Sequence, residues 1–295
     1  WFSKVGTAVS NSTVGFVNTT VWTFEVDYAM MGVSPTVGDV FDYYFTAQDL
    51  ATTPNLWYTT FDATTPVHPS VAVQTTAPTG TLFVTNVNRY SIATGYSGTI
   101  TVGSPGGTFA TFNGGSGLFQ ALNAGVLTGD LYVAVISDIV ETATTPLLGM
   151  TSACGGPWSL YVYPTGATRT VSGTLAQGVI HLGGADRVTF DGRIDMTGAT
   201  RSLIIRNIAT GTNAANPNPT IRFSNNSCDN TFRDCILEGL AQPLNSGVVF
   251  FDVGAVTDGA TGNSRNTIAN NFLRERTDAL NGYAQCYIKS IGLAA

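Results

Sequence analysis

The chain holds 295 residues, of which 43% are hydrophobic and 11% charged, against roughly 25% charged in an ordinary soluble domain. The balance is Thr, Asn, Ser and 33 Gly, a mixture that favours strands and turns over helices. A net charge of −6 without any Lys/Arg cluster excludes a phosphate-rich partner such as nucleic acid, and no apolar run approaches the roughly 18 residues of a membrane span.

The N-terminal Trp1–Lys4 carries neither a start methionine nor a signal-peptide pattern, so a mature or trimmed product is expected. Alternating segments at 21–28, 40–47 and 55–61 predict short antiparallel strands. Pro35, Gly38-Asp39, Thr53-Pro54-Asn55 and Thr64-Thr65-Pro66 mark the turns between them. With no amphipathic helix in this stretch, a small β-sandwich over residues 1–92 is expected, its last strand at 81–85. Residues 93–107, rich in Gly, Ser and Thr, are expected to connect it to the second part of the chain. One short helix is predicted at 117–124, with Ser116 as N-cap, Gly125 as terminator and Leu118, Phe119, Ala121 and Leu122 as its apolar residues. Beyond it, strands are expected at 131–136, 158–163, 178–182, 248–251 and 286–288.

A degenerate repeat runs through this second part. Thr189–Gly192, Ile204–Asn207, Thr231–Asp234 and Thr267–Asn270 each place a β-branched residue, a large apolar residue and a variable residue before Gly, Asn or Asp. Offsets of 15, 27 and 36 are too irregular for a propeller blade and suit a solenoid with loop insertions. The Gly/Asn/Asp position fits a sharp turn after each strand, because these residues tolerate left-handed backbone angles. The expected fold is therefore all-β: a sandwich followed, over 108–295, by a right-handed parallel β-helix that stacks the Phe/Ile position into a buried column. The short helix would cap its N-terminal end.

The stretches Gly106–Phe112, Gly117–Leu131, Ser137–Thr142, Gly183–Gly192, Arg201–Asn207 and Asn266–Asn271 resemble the β-helix of large surface proteins from Bacteroidota. Gly38–Asn55 resembles the late strands of the immunoglobulin or fibronectin-III-like module that commonly precedes it in that group. The resemblance spans nearly the whole chain and implies architecture rather than activity. It also implies an extracellular or cell-surface location and export by the type IX system, whose C-terminal sorting domain this sequence lacks. Two departures stand out. Trp1 would fall just after an expected first strand of the sandwich, and Ala295 just after a strand without a C-terminal cap. These predict a segment of a longer polypeptide, truncated in its β-helix, or a polymer subunit whose missing strands come from a neighbour.

Charge is unevenly placed. Up to Thr168 two cations (Lys4, Arg89) meet nine carboxylates; from Arg169 onward eleven cations meet ten. The runner-up catalytic set is Asp191, Arg193, Arg233 and Asp234, with Asp186, Arg187, Asp195 and Arg206 nearby. Pectin-degrading β-helix enzymes work with such carboxylates and an Arg or Lys base. Alternation puts Asp191 on the outer surface, opposite Phe190. Asp and Arg ladders also arise simply by pairing between rungs. The sequence lacks the Asp-Asp pair and the Gly-His-Gly of polygalacturonase-like hydrolases. His181 sits in an apolar strand and His68 beside Pro69, so no Ser/His/Asp set can be argued.

No cofactor or metal is assigned; calcium is the open case, at the oxygen-rich turns 225–230 and 258–263, which lack the D-x-D-x-D-G spacing. Trp57, Tyr58, Trp158, Tyr161 and Tyr163 are candidates for stacking on sugars, core packing being the commoner use. Three Asn-x-Ser/Thr matches, at Asn11, Asn18 and Asn225, are of the kind chance produces in an Asn- and Thr-rich chain. Cys154, Cys228, Cys235 and Cys286 form no zinc pattern and admit three disulfide pairings; buried free thiols remain equally open. The expectation is thus a non-catalytic structural or adhesive surface protein whose partners are neighbouring domains, identical subunits or surface polysaccharide. A polysaccharide lyase or glycoside hydrolase acting on an acidic polysaccharide is the rival.

Overall fold

The computed structural model describes residues 7–14, 17–23, 28–29, 32–43, 45–48, 56–59, 88–150, 152, 156–209, 217–240, 246–252, 262–276 and 286–291. No helix among them is long and apolar enough to cross a membrane. The chain divides into two compact units, Trp1–Ala93 and Thr94–Ala295.

In the first unit all described pairing is antiparallel, as the alternating segments and their turn residues predict. Strand β1 (Thr7–Val14) pairs with β2 (Val17–Thr23), β3 (Val40–Tyr43) with β6 (Asn88–Ser91), and β4 (Phe45–Gln48) with β5 (Leu56–Thr59). Asp39 closes the turn into β3, its carboxylate accepting the Thr36 amide at 2.7 Å. These are two-stranded sheets; the strand expected at 81–85 and the His68 loop lie outside the described residues.

The second unit is built of coils that stack in parallel on three sheets. The first sheet contains β7 (Gly95–Val102), β8 (Val126–Val135), β10 (Leu160–Pro164), β13 (Val188–Asp191), β16 (Thr231–Arg233) and β19 (Thr267–Ala269). The second contains β9 (Ile139–Glu141), β11 (Arg169–Gly173), β14 (Leu203–Asn207), β17 (Ile236–Glu238) and β20 (Phe272–Arg274). The third contains β12 (Ile180–Gly183), β15 (Ile221–Ser224), β18 (Val249–Phe251) and β21 (Ile288–Ser290). Each later coil visits the three sheets in turn, which defines an all-β, parallel β-helix-like fold. Residues 95–102, expected to be a connector, instead form β7 and pair with β8 over most of its length.

The register shows why the pattern works. Ile100, Val133, Val162, Phe190, Phe232 and Ile268 lie side by side in the first sheet. Phe190 and Phe232 stack at 4.6 Å with planes 4° apart, and Phe223 of the third sheet meets Phe232 edge-on at 5.7 Å, closing the interior. In the second sheet Ile139, Val171, Ile205, Leu237 and Leu273 form the equivalent column. Side chains at alternate positions share a face, so one apolar residue every second position lines the interior of each strand.

The repeat needs one correction. Ile204–Asn207 belongs to the second sheet, not to the column of Thr189, Thr231 and Thr267, and its own column runs Thr170, Ile204, Ile236, Phe272. The two shorter offsets read from the sequence therefore make up a single coil. Of the four proposed turn residues, Asp234 and Asn270 adopt left-handed angles, both with φ of 54°.

Corners and strand starts are pinned by short polar side chains that accept backbone amides of the neighbouring coil. Asp138 accepts the Thr170 amide at 2.8 Å, and Asn230 accepts that of Val188 at 2.9 Å. Buried Asn207 bonds four backbone groups, donating to Leu175 and Pro219 and accepting from Leu175 and Ala209. The abundance of Asn and Asp follows from this role.

Helix α1 (Leu118–Ala124) ends at Gly125 as predicted, its N–H bonded to the Leu122 carbonyl. Its N-cap is Gly117 rather than Ser116, with no side-chain cap. The helix buries Leu118, Phe119 and Leu122, and Phe112 lies 5.6 Å from Phe119 and 6.2 Å from Phe190, joining the helix to the core. Glu141 holds this connection by accepting the Phe112 and Asn113 amides at 2.7 and 3.0 Å. Burial raises its pKa, and those amide bonds partly offset the rise.

Candidate functional site

The runner-up residues Asp191, Arg193, Arg233 and Asp234 converge at one corner of the coils. Asp191 ends β13 directly beside Arg233 of β16. The next residue must be glycine, since a Cβ on Gly192 would stand 1.9 Å from the Asp234 carbonyl oxygen. Close passage of the two adjoining coils is what lets Arg193 fold back over the strand end.

Asp191 faces away from Phe190, yet its side chain is 0% exposed, which corrects the expectation of a carboxylate open to solvent. Its Oδ1 accepts the Arg193 amide at 3.1 Å and Arg193 Nε at 2.9 Å. Its Oδ2 accepts Arg193 Nη2 at 2.7 Å, Arg233 Nε at 2.9 Å and Arg233 Nη2 at 2.6 Å. Burial opposes its ionisation, but the Arg193 and Arg233 hydrogen bonds outweigh burial and hold the carboxyl below the ordinary range. The same bond raises the Arg193 pKa. Asp234 lies 3.6 Å from Arg193 and accepts from Asn270 Nδ2, while Asn270 in turn receives Arg201 at 2.6 and 2.7 Å. A general acid needs a proton to give near working pH and a route to substrate. Asp191 is held ionised and is covered by two guanidiniums, the geometry of an inter-coil clamp.

Other candidates are likewise engaged. Asp186 accepts the Cys228 amide at 2.7 Å and Arg187 donates to the Trp158 carbonyl at 3.4 Å. Asp195, in a one-turn 3-10 helix at Ile194–Met196, acts with burial to raise the Tyr163 pKa, burial being the larger cause. Tyr161 stacks on Tyr132 at 5.0 Å and 13°, so the facing ring surfaces are not open to a sugar. Trp158 is half-buried, and its indole N–H has no hydrogen-bond partner among the described residues. The side chains of Trp57 and Tyr58 lie outside the described set.

Among the described residues no three His, Cys, Asp or Glu side chains are grouped to hold a metal. In the oxygen-rich 225–230 turn, Asn225, Asn226 and Asp229 have left-handed backbone angles. Asp229 pairs with Arg265 at 2.6 Å, and Asn230 serves the corner. Most of 258–263 lies outside the described residues. Cys228, Cys235 and Cys286 are free thiols; Cys154 is not described. Burial pushes the Cys235 thiol far up, so it is unreactive in the folded chain.

Two groupings escaped sequence reasoning. His181 Nε2 lies 2.8 Å from Ser224 Oγ, and its buried Nδ1 has no hydrogen-bond partner among the described residues. Burial and the neighbouring Arg222 lower its pKa to about 4, against the opposing pull of Asp252. The pair is 43 residues apart in sequence, and only coil register brings it together. Glu238 sits between Arg206 and Arg274 of the adjoining coils, at 2.5 Å from each. Assigning Ile204–Asn207 to its own sheet would have exposed this ladder.

No family model, no curated protein and no solved structure matches the chain.

Proposed function

We propose that this chain is a non-catalytic structural or adhesive element of an extracellular or cell-surface protein, either a segment of a larger polypeptide or a filament subunit. The carrying observation is the state of its charged side chains: Asp191, Asp234 and Glu238 are all paired with cations, most of them from adjoining coils. Such pairing keeps coils in register, the need of a load-bearing solenoid. The antiparallel pairs of the first unit support an immunoglobulin or fibronectin-III-like module, and the parallel coils a right-handed winding, the hand favoured for parallel crossovers. The resemblance to Bacteroidota surface proteins suggests the location and type IX export, and strand pairing between subunits or neighbouring domains suggests the mode of assembly.

The test is incubation of the purified chain with polygalacturonate and other acidic polysaccharides, followed by assay for reducing ends and unsaturated products. No product is expected. Cleavage lost in Asp191→Asn and Arg233→Ala would establish the rival polysaccharide lyase or hydrolase.

A further inference from the structure

One outward column of the first sheet runs Thr99, Tyr132, Tyr161, Thr189, Thr231, Thr267. Threonine suits a strand position with one side in water, and the column departs from it on two adjoining coils only. Tyr132 of β8 and Tyr161 of β10 are direct neighbours in register, and their rings stack at 5.0 Å with planes 13° apart. Both are half-buried on the solvent side of the sheet.

Every other close ring pair among the described residues contains phenylalanine, so this is the one described stack with a phenol on each side. A phenol can give up an electron and a proton together, leaving a radical with spin on the ring carbons ortho to oxygen. Two such radicals held in contact couple with each other before either meets one on another molecule. Tyr163, on the same face of β10, has Ala134 rather than a phenol opposite it in register. Cys228, Cys235 and Cys286 are free thiols, so among the described residues no disulfide ties one coil to another.

We propose that Tyr132 and Tyr161 are a site of oxidative cross-linking, joined by a carbon–carbon bond between their ortho ring positions. The oxidant is hydrogen peroxide acting through a haem peroxidase, which takes one electron and one proton from each phenol. The two ortho carbons then bond, and the hydrogen on each moves as a proton to the oxygen of its own ring, restoring both phenols. In sum the pair loses two hydrogens and one peroxide is reduced to two waters. Rotation about the side-chain bonds brings the ortho carbons together, since adjacent strands lie only about 4.8 Å apart. The product ties β8, against which helix α1 packs, covalently to β10 of the next coil.

The experiment exposes the 295-residue chain, dilute and with its accessible thiols alkylated, to a haem peroxidase and hydrogen peroxide. Blue dityrosine fluorescence is expected in the monomer fraction. Peptic mapping should place the link between Tyr132 and Tyr161, in a product two hydrogens lighter than the untreated chain. Tyr132→Phe and Tyr161→Phe keep a ring at each position and should each lose that emission, whereas Tyr163→Phe should retain it. Circular dichroism would verify that all three variants keep the fold. No emission from the folded monomer, emission confined to covalent dimers, a link mapped to another pair, or emission undiminished in Tyr132→Phe or Tyr161→Phe would overturn the proposal. A stack that serves packing alone gives no emission in the monomer, so the readout separates the two roles.

Discussion

Five hydrogen bonds converge on the Asp191 carboxylate, and this decides what the residue contributes. Asp191→Asn would lose part of that set, taking the carboxylate from Arg233 and leaving Arg193 only the Asp234 carboxylate at 3.6 Å, a cost of about 2–3 kcal/mol. Because the folded pKa is depressed, the wild-type advantage is full above the unfolded carboxylate range and is lost as pH falls through the folded value. Urea unfolding of both proteins at neutral and strongly acidic pH should show the gap closing in acid. His181 has a depressed pKa of the opposite charge type. Between its unfolded value of 6.5 and the folded value of about 4, the unfolded chain binds more protons, so stability rises with pH across that window. In His181→Gln this part of the slope should be missing from a plot of Tm against pH.

For the elements, stacking rather than single-strand propensity sets stability. Strands of three residues, such as β16 and β19, would not persist alone. They hold because Phe232 lies between Phe190 and Ile268. Phe190→Ala should cost about 3–5 kcal/mol, since the rigid column cannot close over the void. Phe272→Ala, on the outer face, should change stability by no more than about 0.5 kcal/mol. Chemical denaturation of the two variants checks the contrast. At this scale the sequence was readable wherever alternation ran long enough, as in β8 and β10. It was misleading at β7, where Gly95, Ser97 and Gly98 resemble a connector. That strand is sustained by its parallel partner β8 and not by its own composition.

Across the whole molecule the low charge acquires a structural meaning. Buried columns and ladder hydrogen bonds stabilise the stacked coils, and among the described residues the ion pairs run mostly between adjoining coils. Cys235 reports on this arrangement, being enclosed between coils with its Sγ near the Phe190 and Arg233 carbonyls. A thiol reagent should label Cys228 in the folded chain and modify Cys235 only at the rate of unfolding, which mass spectrometry can follow. Labelling of Cys235 well below the denaturation midpoint would indicate that neighbouring coils open independently.

The sequence by itself determined the all-β class, the short helix ending at Gly125, the recurrence of β-branched, aromatic and Asn/Asp positions, and the concentration of Arg among the carboxylates after Arg169. These are properties of local pattern, in which alternation and turn chemistry act over a few residues. Only the tertiary structure decided which coil each repeat belongs to, that Asp191 is covered, that His181 meets Ser224, and that Glu238 lies between two arginines. Those outcomes depend on register between segments some 30 to 45 residues apart. Insertions of unequal length set that register, and it becomes fixed when the apolar columns align.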